Sequence, residues 1–212
     1  MQIYLNKIKE SWVVDRFKSE WYEFNEDIST NKIYKADIVW LITPWLWRNV
    51  KKRNLKNKKV VCSIYHIDFE KFAFEDKKEF EERDSFVDLY HVISEKTKSQ
   101  LQQLTNKEII SIPFWVNQNI WFPIEDKESL VKKYNLSPEK YYIGSFQRDT
   151  EGVDLKSPKL IKGPDRFIEI LSSDYFAGKN IEVILTGKRR QYIISELEKR
   201  KIPYKYFEMV DF

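Results

Sequence analysis

Residues 112–123 have the sequence Ile-Pro-Phe-Trp-Val-Asn-Gln-Asn-Ile-Trp-Phe-Pro, and this stretch divides the chain. It contains two prolines and shows no helical spacing of its apolar residues. Because proline fixes φ and restricts the residue before it, the stretch is predicted to follow an extended path between two domains. The sequence therefore predicts a first domain over residues 1–120 and a second over residues 121–212.

On both sides of this linker, short β-branched runs alternate with longer amphipathic segments. Strands are predicted at residues 3–5, 37–42, 59–65, 89–93, 108–112, 141–146, 182–186 and 204–207. Helices are predicted at residues 10–24, 70–83, 94–104, 127–134, 164–171 and 191–200. This alternation favours an α/β protein with two Rossmann-like domains, in which parallel sheets carry helices on both faces.

The second domain has only three predicted strands, against five in the first. A three-stranded half-sheet leaves an edge and an apolar face uncovered. We therefore expect either a second domain that is only partly present or a partner that covers the face, and a homodimer is one such arrangement.

The composition of the chain argues against several functional classes of protein. Hydrophobic residues make up 42% of the chain, which supports a packed core, and the net charge of +4 is too small to predict nucleic-acid binding. Cys62 is the single cysteine, so disulfides and cysteine metal sites are excluded, and its apolar neighbours predict a core position. No apolar run approaches the roughly 18–20 residues of a membrane span. Since no signal-peptide core follows Met1, we expect a cytoplasmic protein.

Basic side chains are concentrated in one segment. They are Arg48, Lys51, Lys52, Arg53, Lys56, Lys58 and Lys59. The cluster is compatible with a solvated surface, or with attraction to an acidic acceptor or, peripherally, to an anionic membrane.

Glycines and cations follow the first predicted strand of the second domain. Gly144 at the end of this strand leaves room for a ligand near the backbone, and Pro164 after Gly163 suits the first turn of a helix whose amides would face an anion. Arg148 offers a planar fork of donors and Lys162 a point charge, which together suit a diphosphate. Ordinary surface cations beside a helix start would give the same spacing.

In the first domain, His66 follows the third strand, at the edge where open α/β sheets bind ligands. In a functional role it would bind a sugar hydroxyl or stabilise charge near the reacting carbon. In a structural role it would be a histidine at a strand end whose hydrogen bonds are made within the protein. Asp68 is a candidate hydroxyl-binding carboxylate, and Trp45 either stacks on a sugar or belongs to the core. His91 lies inside a predicted strand and is expected to be packed.

The order of several short motifs resembles that of the retaining glycosyltransferases of family 4, which have the GT-B fold. The motifs are Ile93-Ser94, Ile112-Pro113, Phe122-Pro123, Gly144, Arg148, Lys162-Gly163-Pro164-Asp165 and Leu185-Thr186-Gly187. The resemblance implies transfer of a sugar from a nucleotide-diphosphate sugar to a sugar or lipid-linked acceptor, without a metal or other cofactor. It places the donor diphosphate on Arg148 and Lys162 and directs the histidine at position 66 towards the transferred sugar.

The chain departs from the family pattern in three places. Residues 5–9 contain no glycine, whereas the family has a glycine-rich loop there, and the family's acidic motif with two glutamates would lie beyond Phe212. Residues 149–161 are longer than the family's loop, so Lys156 or Lys159 could take the place of Lys162. We therefore expect little or no turnover from this chain alone. A non-catalytic nucleotide- or sugar-binding module of Rossmann type, and a nucleotide-sugar epimerase of the same fold, are the alternatives.

Overall fold

The computed structural model describes residues 1–6 and 13–209 of the chain. The chain divides into two compact units, Met1–Phe122 and Pro123–Phe212, within the linker stretch and next to the predicted boundary at residue 120. Each unit contains its own parallel sheet and its own core.

The first unit is built on a five-stranded parallel sheet in the order β1-β2-β3-β4-β5. Its strands are β1 (Ile3–Leu5), β2 (Ile38–Leu41), β3 (Lys59–Ile64), β4 (Leu89–Val92) and β5 (Glu108–Ser111). Its α-helices are α1 (Val13–Phe24), α2 (Phe74–Asp84) and α3 (Glu95–Leu101). Short 3-10 helices lie at Glu26–Ile28, Ile33–Lys35, Pro44–Asn49 and Lys52–Asn54.

Helices cover both faces of this sheet because side chains alternate along each strand. Ile3 and Leu5 of β1 share a core with Phe17 of α1. Tyr4, between them, belongs to the core on the opposite face, which includes Phe80 of α2 and Leu101 of α3.

Cys62 lies in the middle of β3 and is fully buried, as predicted. Burial raises the pKa of its thiol to about 11, since an apolar environment disfavours the thiolate. The side chain therefore acts as a small apolar core residue.

The second unit is built on a three-stranded parallel sheet in the order β6-β7-β8. Its strands are β6 (Tyr141–Ser145), β7 (Ile181–Thr186) and β8 (Tyr204–Phe207), and its helices are α4 (Lys127–Lys133), α5 (Pro164–Leu171) and α6 (Gln191–Lys199). Val183 and Leu185 of β7 are fully buried in a core with side chains of α5 and α6. Ile184, between them, lines a groove of about 180 Å³ with Tyr134 and Phe207.

The predicted strands agree with the observed ones to within one residue at each end. The predicted start of α2 at residue 70 is wrong, because Lys71 and Phe72 donate backbone hydrogen bonds to Asp68 and Phe69 in a turn. The helix begins only after Ala73, whose N–H donates to the Asp76 carboxylate at 2.9 Å. The predicted start of α1 at residue 10 lies outside the described residues.

No helix in the described part of the chain is long and apolar enough to cross a membrane.

Candidate functional site

The segment after β3 is held in a fixed conformation by Tyr65. Its hydroxyl donates to the carbonyl of Ile42, just after β2, at 2.7 Å, and its own carbonyl accepts from the Thr97 hydroxyl in α3 at 3.3 Å. Its ring stacks on Phe114 with 5.4 Å between centroids. Burial raises the pKa of Tyr65 well above its ordinary value, so the phenol stays protonated and keeps donating. These contacts fix the backbone from which His66 projects.

A cavity of about 430 Å³ lies at this carboxyl edge of the sheet, and His66, Asp68 and Trp45 all line it. We call it the strand-edge cavity. The His66 side chain is exposed, and one Asp68 carboxylate oxygen lies 3.7 Å from the Lys71 ammonium. Trp45 is 40% exposed, and its ring centroid lies 5.9 Å from that of Tyr65. The structure therefore brings together the three first-domain residues singled out from the sequence.

One wall of the strand-edge cavity was not predicted. Arg83, in the last turn of α2, is buried and lines the cavity, and its guanidinium lies over the Phe80 ring at 5.4 Å. Its Nε has no hydrogen-bond partner among the described residues. The helical pattern of α2 did not indicate this buried arginine, which lines the cavity together with Asp76 and Glu79 of the same helix.

His91 is a packed strand residue, as predicted. Its Nε2 lies 2.7 Å from the carbonyl of Ile112, which can only accept, so Nε2 carries the proton and Nδ1 accepts from the Ser63 hydroxyl at 2.9 Å. The Ser63 oxygen in turn accepts the indole N–H of Trp40 at 2.9 Å. Burial lowers the pKa of His91, more than its bond to Ile112 raises it. The neutral ring thus anchors the start of the linker.

In the second unit, Arg148, Lys162 and Gly163 line one small cavity after the end of β6. We call it the cationic cleft. Its volume is about 30 Å³, and about 10–15 Å³ of such space is enough to hold one water. The Gln147 side-chain amide donates to the carbonyl of Lys162 at 2.7 Å and so ties the two cationic segments together. The structure brings Arg148 and Lys162 to the same cleft, and neither Lys156 nor Lys159 lines it.

The two predicted glycines have different environments. Gly163 adopts φ 64° and ψ 37°, the left-handed conformation, where it ends the 3-10 helix Leu160–Lys162 and leads into Pro164 at the first position of α5. Gly144 does not line the cationic cleft. A Cβ at position 144 would lie 2.4 Å from Cζ of Phe146, so the exposed Phe146 ring lies beside Gly144.

A buried ion pair supports the cationic cleft and was missed from the sequence. Arg190 is 0% and Asp149 1% exposed, with Nε and Oδ2 3.9 Å apart. Arg190 Nη2 donates to the carbonyl and hydroxyl oxygens of Ser145 at 3.1 and 2.6 Å, while Asp149 accepts the backbone N–H groups of Tyr192 and Ile193. The pair joins the end of β6 to the start of α6 next to Arg148.

Burial dominates the ionisation of both partners. It lowers the pKa of Arg190, and it raises the pKa of Asp149 in spite of the opposing attraction of Arg190. In the sequence, Arg190 ends a Gly-Lys-Arg-Arg run after β7, and such a run is typical of a solvated loop. Its position in the chain could have indicated a role at the cleft, because the loop after β7 lies at the same sheet edge as the loop after β6.

Part of the basic segment of the first unit is paired. Arg48 and Lys52 bind the two oxygens of the Glu82 carboxylate at 2.9 and 3.1 Å, and the Arg48 guanidinium stacks over the Trp47 ring at 4.4 Å. These interactions favour the solvated-surface interpretation for these two cations. Among the described residues, no cluster of three or more His, Cys, Asp and Glu side chains is placed to hold a metal ion.

No family model matches the chain, and a search of curated proteins found no match. The structure is similar to that of Anabaena HepE, solved in complex with UDP and glucose, with a TM-score of 0.59 and 12% identity over 97% of this chain and 68% of HepE. It is also similar to OtsA, a trehalose-6-phosphate synthase, with a TM-score of 0.52 and 12% identity over 94% of this chain. The chain spans 51% of OtsA. These likenesses confirm the predicted fold class, two Rossmann-like α/β domains of the GT-B type.

Proposed function

We propose that this chain is a glycosyltransferase, or the part of one, that takes its sugar from a nucleotide-diphosphate sugar. The observation that carries the proposal is that two exposed cations, Arg148 and Lys162, line the same cleft at the start of α5. Because the cleft itself holds only about 30 Å³, the diphosphate would lie against the exposed side chains rather than inside the cleft. HepE, which has the same fold, was solved with UDP and glucose, and OtsA is a synthase of a sugar phosphate. The HepE complex is consistent with a donor of this chemical class.

Transfer breaks the bond between the anomeric carbon of the sugar and the diphosphate oxygen, so negative charge grows on the leaving diphosphate. Arg148 and Lys162 would neutralise this charge, and the amides at the start of α5 would add hydrogen bonds. No metal is required in this scheme, because two side-chain cations and a helix N-terminus supply the positive charge. The buried Arg190–Asp149 pair is a positioning element, since it fixes the backbone on both sides of Arg148.

The first unit would hold the acceptor or the sugar in the strand-edge cavity. There His66 would hydrogen-bond a sugar hydroxyl, Asp68 would accept from another, and the exposed face of Trp45 would pack on the sugar ring. On the order of its motifs we assign the activity to the retaining transferases of family 4, so we propose net retention at the anomeric carbon.

The test is calorimetric titration of the chain with UDP, GDP, UDP-glucose and GDP-mannose. Hydrogen bonds to charged groups contribute about 1.5–3 kcal/mol, so Arg148→Ala and Lys162→Ala should each weaken diphosphate binding by roughly ten- to hundredfold. Lys156→Ala is the matched control, because this exposed lysine lies in the same loop outside the cleft. Unchanged affinity in both cleft variants would remove the proposed donor site and overturn the proposal.

A further inference from the structure

The strand-edge cavity carries two polar side chains of α2 that the proposed function leaves unused. Glu79 and Arg83 line it four residues apart, in the same cavity as His66. Residues four positions apart lie on the same face of a helix, so both side chains reach the cavity from one wall. The cavity volume of about 430 Å³ is within the range of about 300–1,000 Å³ that small-molecule sites occupy.

Glu79 presents one free carboxylate oxygen. Its Oε1 accepts the indole N–H of Trp47 at 3.0 Å, and because Trp47 is only 3% exposed, this bond fixes the position of the carboxylate. Within the described residues Oε2 makes no hydrogen bond, and it keeps surface that solvent can reach. The oxygen can therefore accept a hydrogen bond from a hydroxyl group of a ligand.

Arg83 is the complementary donor. It is 8% exposed, its guanidinium lies over the Phe80 ring at 5.4 Å, and no hydrogen bond or ion pair satisfies it within the described part of the chain. Only Nε is sealed from solvent, whereas the terminal nitrogens Nη1 and Nη2 keep accessible surface. A guanidinium that is largely buried without an acceptor is unfavourable, so an oxygen atom of a ligand in the cavity would stabilise it.

Glu79 and Arg83 do not pair with each other, although oppositely charged residues four positions apart on a helix commonly do. Lys77 and Glu81 of the same helix form such a pair at 4.0 Å. Glu79 is instead bound to Trp47, and Arg83 is stacked on a phenyl ring. The helix therefore presents an acceptor and a donor side by side. Two neighbouring hydroxyl groups fit this arrangement, because one can donate to the carboxylate while the other accepts from the guanidinium.

We infer that Glu79 and Arg83 bind neighbouring hydroxyl groups of a neutral saccharide and so determine which sugar the strand-edge cavity accepts. The inference rests on the proposed function, which places the acceptor or the sugar in this cavity. An anionic ligand is disfavoured, because three carboxylates line the cavity and only two cations do. The carboxylates are those of Asp68, Asp76 and Glu79, and the cations are Lys71 and Arg83.

NMR of the imidazole signals of the ¹⁵N-labelled 212-residue chain tests the inference, since His66 and His91 are its only histidines. His66 lines the cavity, whereas His91 is bonded to Ser63 and Ile112 and reports on the fold. The probes are glucose, mannose, galactose and maltose, with glucose 6-phosphate and glucuronate as anionic comparisons. We expect at least one neutral saccharide to shift the His66 signals and both anionic sugars to bind more weakly.

Two variants test the named side chains. Glu79→Gln keeps an oxygen for Trp47 but removes the charge, so the affinity should fall at least about fivefold, because hydrogen bonds to charged groups are stronger than those to neutral ones. Arg83→Met keeps the apolar contact with Phe80 but removes the donors, and it should weaken binding about tenfold or more. Glu81→Gln is the matched control and should leave the affinity unchanged, because this carboxylate of α2 is 64% exposed and does not line the cavity.

The titration contains no nucleotide, so a silent His66 together with intact UDP binding would overturn this inference and leave the proposed donor site standing. The inference is also overturned if an anionic sugar binds more tightly than every neutral one, or if Glu81→Gln weakens binding as much as Glu79→Gln does. Full affinity in Glu79→Gln, with the His91 signals unchanged, would likewise overturn it. Because Glu79 is only partly buried, this variant decides the question if Arg83→Met does not fold.

Discussion

Replacing Arg190 by Met should destabilise the second unit strongly. The change leaves the Asp149 carboxylate, 1% exposed, without its cationic partner and removes two hydrogen bonds to Ser145. Removing one partner of a buried ion pair typically costs about 3–5 kcal/mol. The loss of stability has an upper limit, because the variant can protonate Asp149 instead of burying its charge. Protonating a carboxyl with the ordinary pKa of 3.8 at pH 7 costs about 4 kcal/mol, at about 1.36 kcal/mol for each pH unit above the pKa.

The defect should depend on pH in a direction that the structure fixes. In the variant, burial keeps the folded-state pKa of Asp149 above its unfolded value, so the folded state binds more protons above pH 3.8. Stability therefore falls as pH rises, and lowering the pH from 7 to 5 should recover up to about 2.7 kcal/mol.

Two optical signals make the assay selective. All seven tryptophans lie at or before residue 121, so tryptophan fluorescence reports on the first unit, whereas far-ultraviolet circular dichroism reports on both. In urea, Arg190→Met should move part of the dichroism transition to lower denaturant while the fluorescence transition stays in place.

Arg200→Met is the control, since the Arg200–Glu196 pair is on the surface and such pairs contribute about 0–1 kcal/mol. Adding Asp149→Asn to Arg190→Met should restore much of the loss. A dichroism transition that is unmoved in Arg190→Met would refute the assigned role of the pair.

Three further predictions follow from other residues. Burial lowers the pKa of His91, so below about pH 6.5 the unfolded chain binds a proton that the folded chain does not. Stability should therefore decrease as the pH is lowered below about 6.5, and His91→Gln should reduce the dependence on pH of the urea midpoint measured by fluorescence. Gly163→Ala places a Cβ at φ 64° and should cost about 1–2 kcal/mol, seen in the dichroism transition, with weaker UDP binding by calorimetry. Tyr65→Phe leaves the Ile42 carbonyl without its donor and should cost about 1–3 kcal/mol in the fluorescence transition.

The local spacing of apolar residues, glycines and prolines was sufficient to predict most of the strands and helices. The apolar run Ile3-Tyr4-Leu5 predicted strand β1, and α5 was predicted to start at Pro164 after Gly163. The start of α2 was missed because residues 68–72 satisfy their backbone groups in a turn that apolar spacing does not encode. The 3-10 helix Pro44–Asn49 was missed for the same reason.

Site residues were predicted where position along a strand was decisive. His66, Asp68 and Trp45 share a cavity because each follows a strand that ends at the same edge. Pattern alone could not separate Trp45, which is 40% exposed, from Trp47, which is 3% exposed two residues later in the 3-10 helix. It also could not predict that Arg190 and Glu20 are buried, because their burial depends on partners distant in the sequence, Ser145 and Trp115.

The buried thiol in β3 has a practical consequence for spectroscopy. Since the pKa of Cys62 is about 11 and the side chain is enclosed, maleimides and iodoacetamides should leave it unmodified at neutral pH. A cysteine introduced at an exposed position such as Phe24 or Lys156 would then be the only reactive thiol. Fluorophores or spin labels can therefore be attached at either site without first removing the native residue.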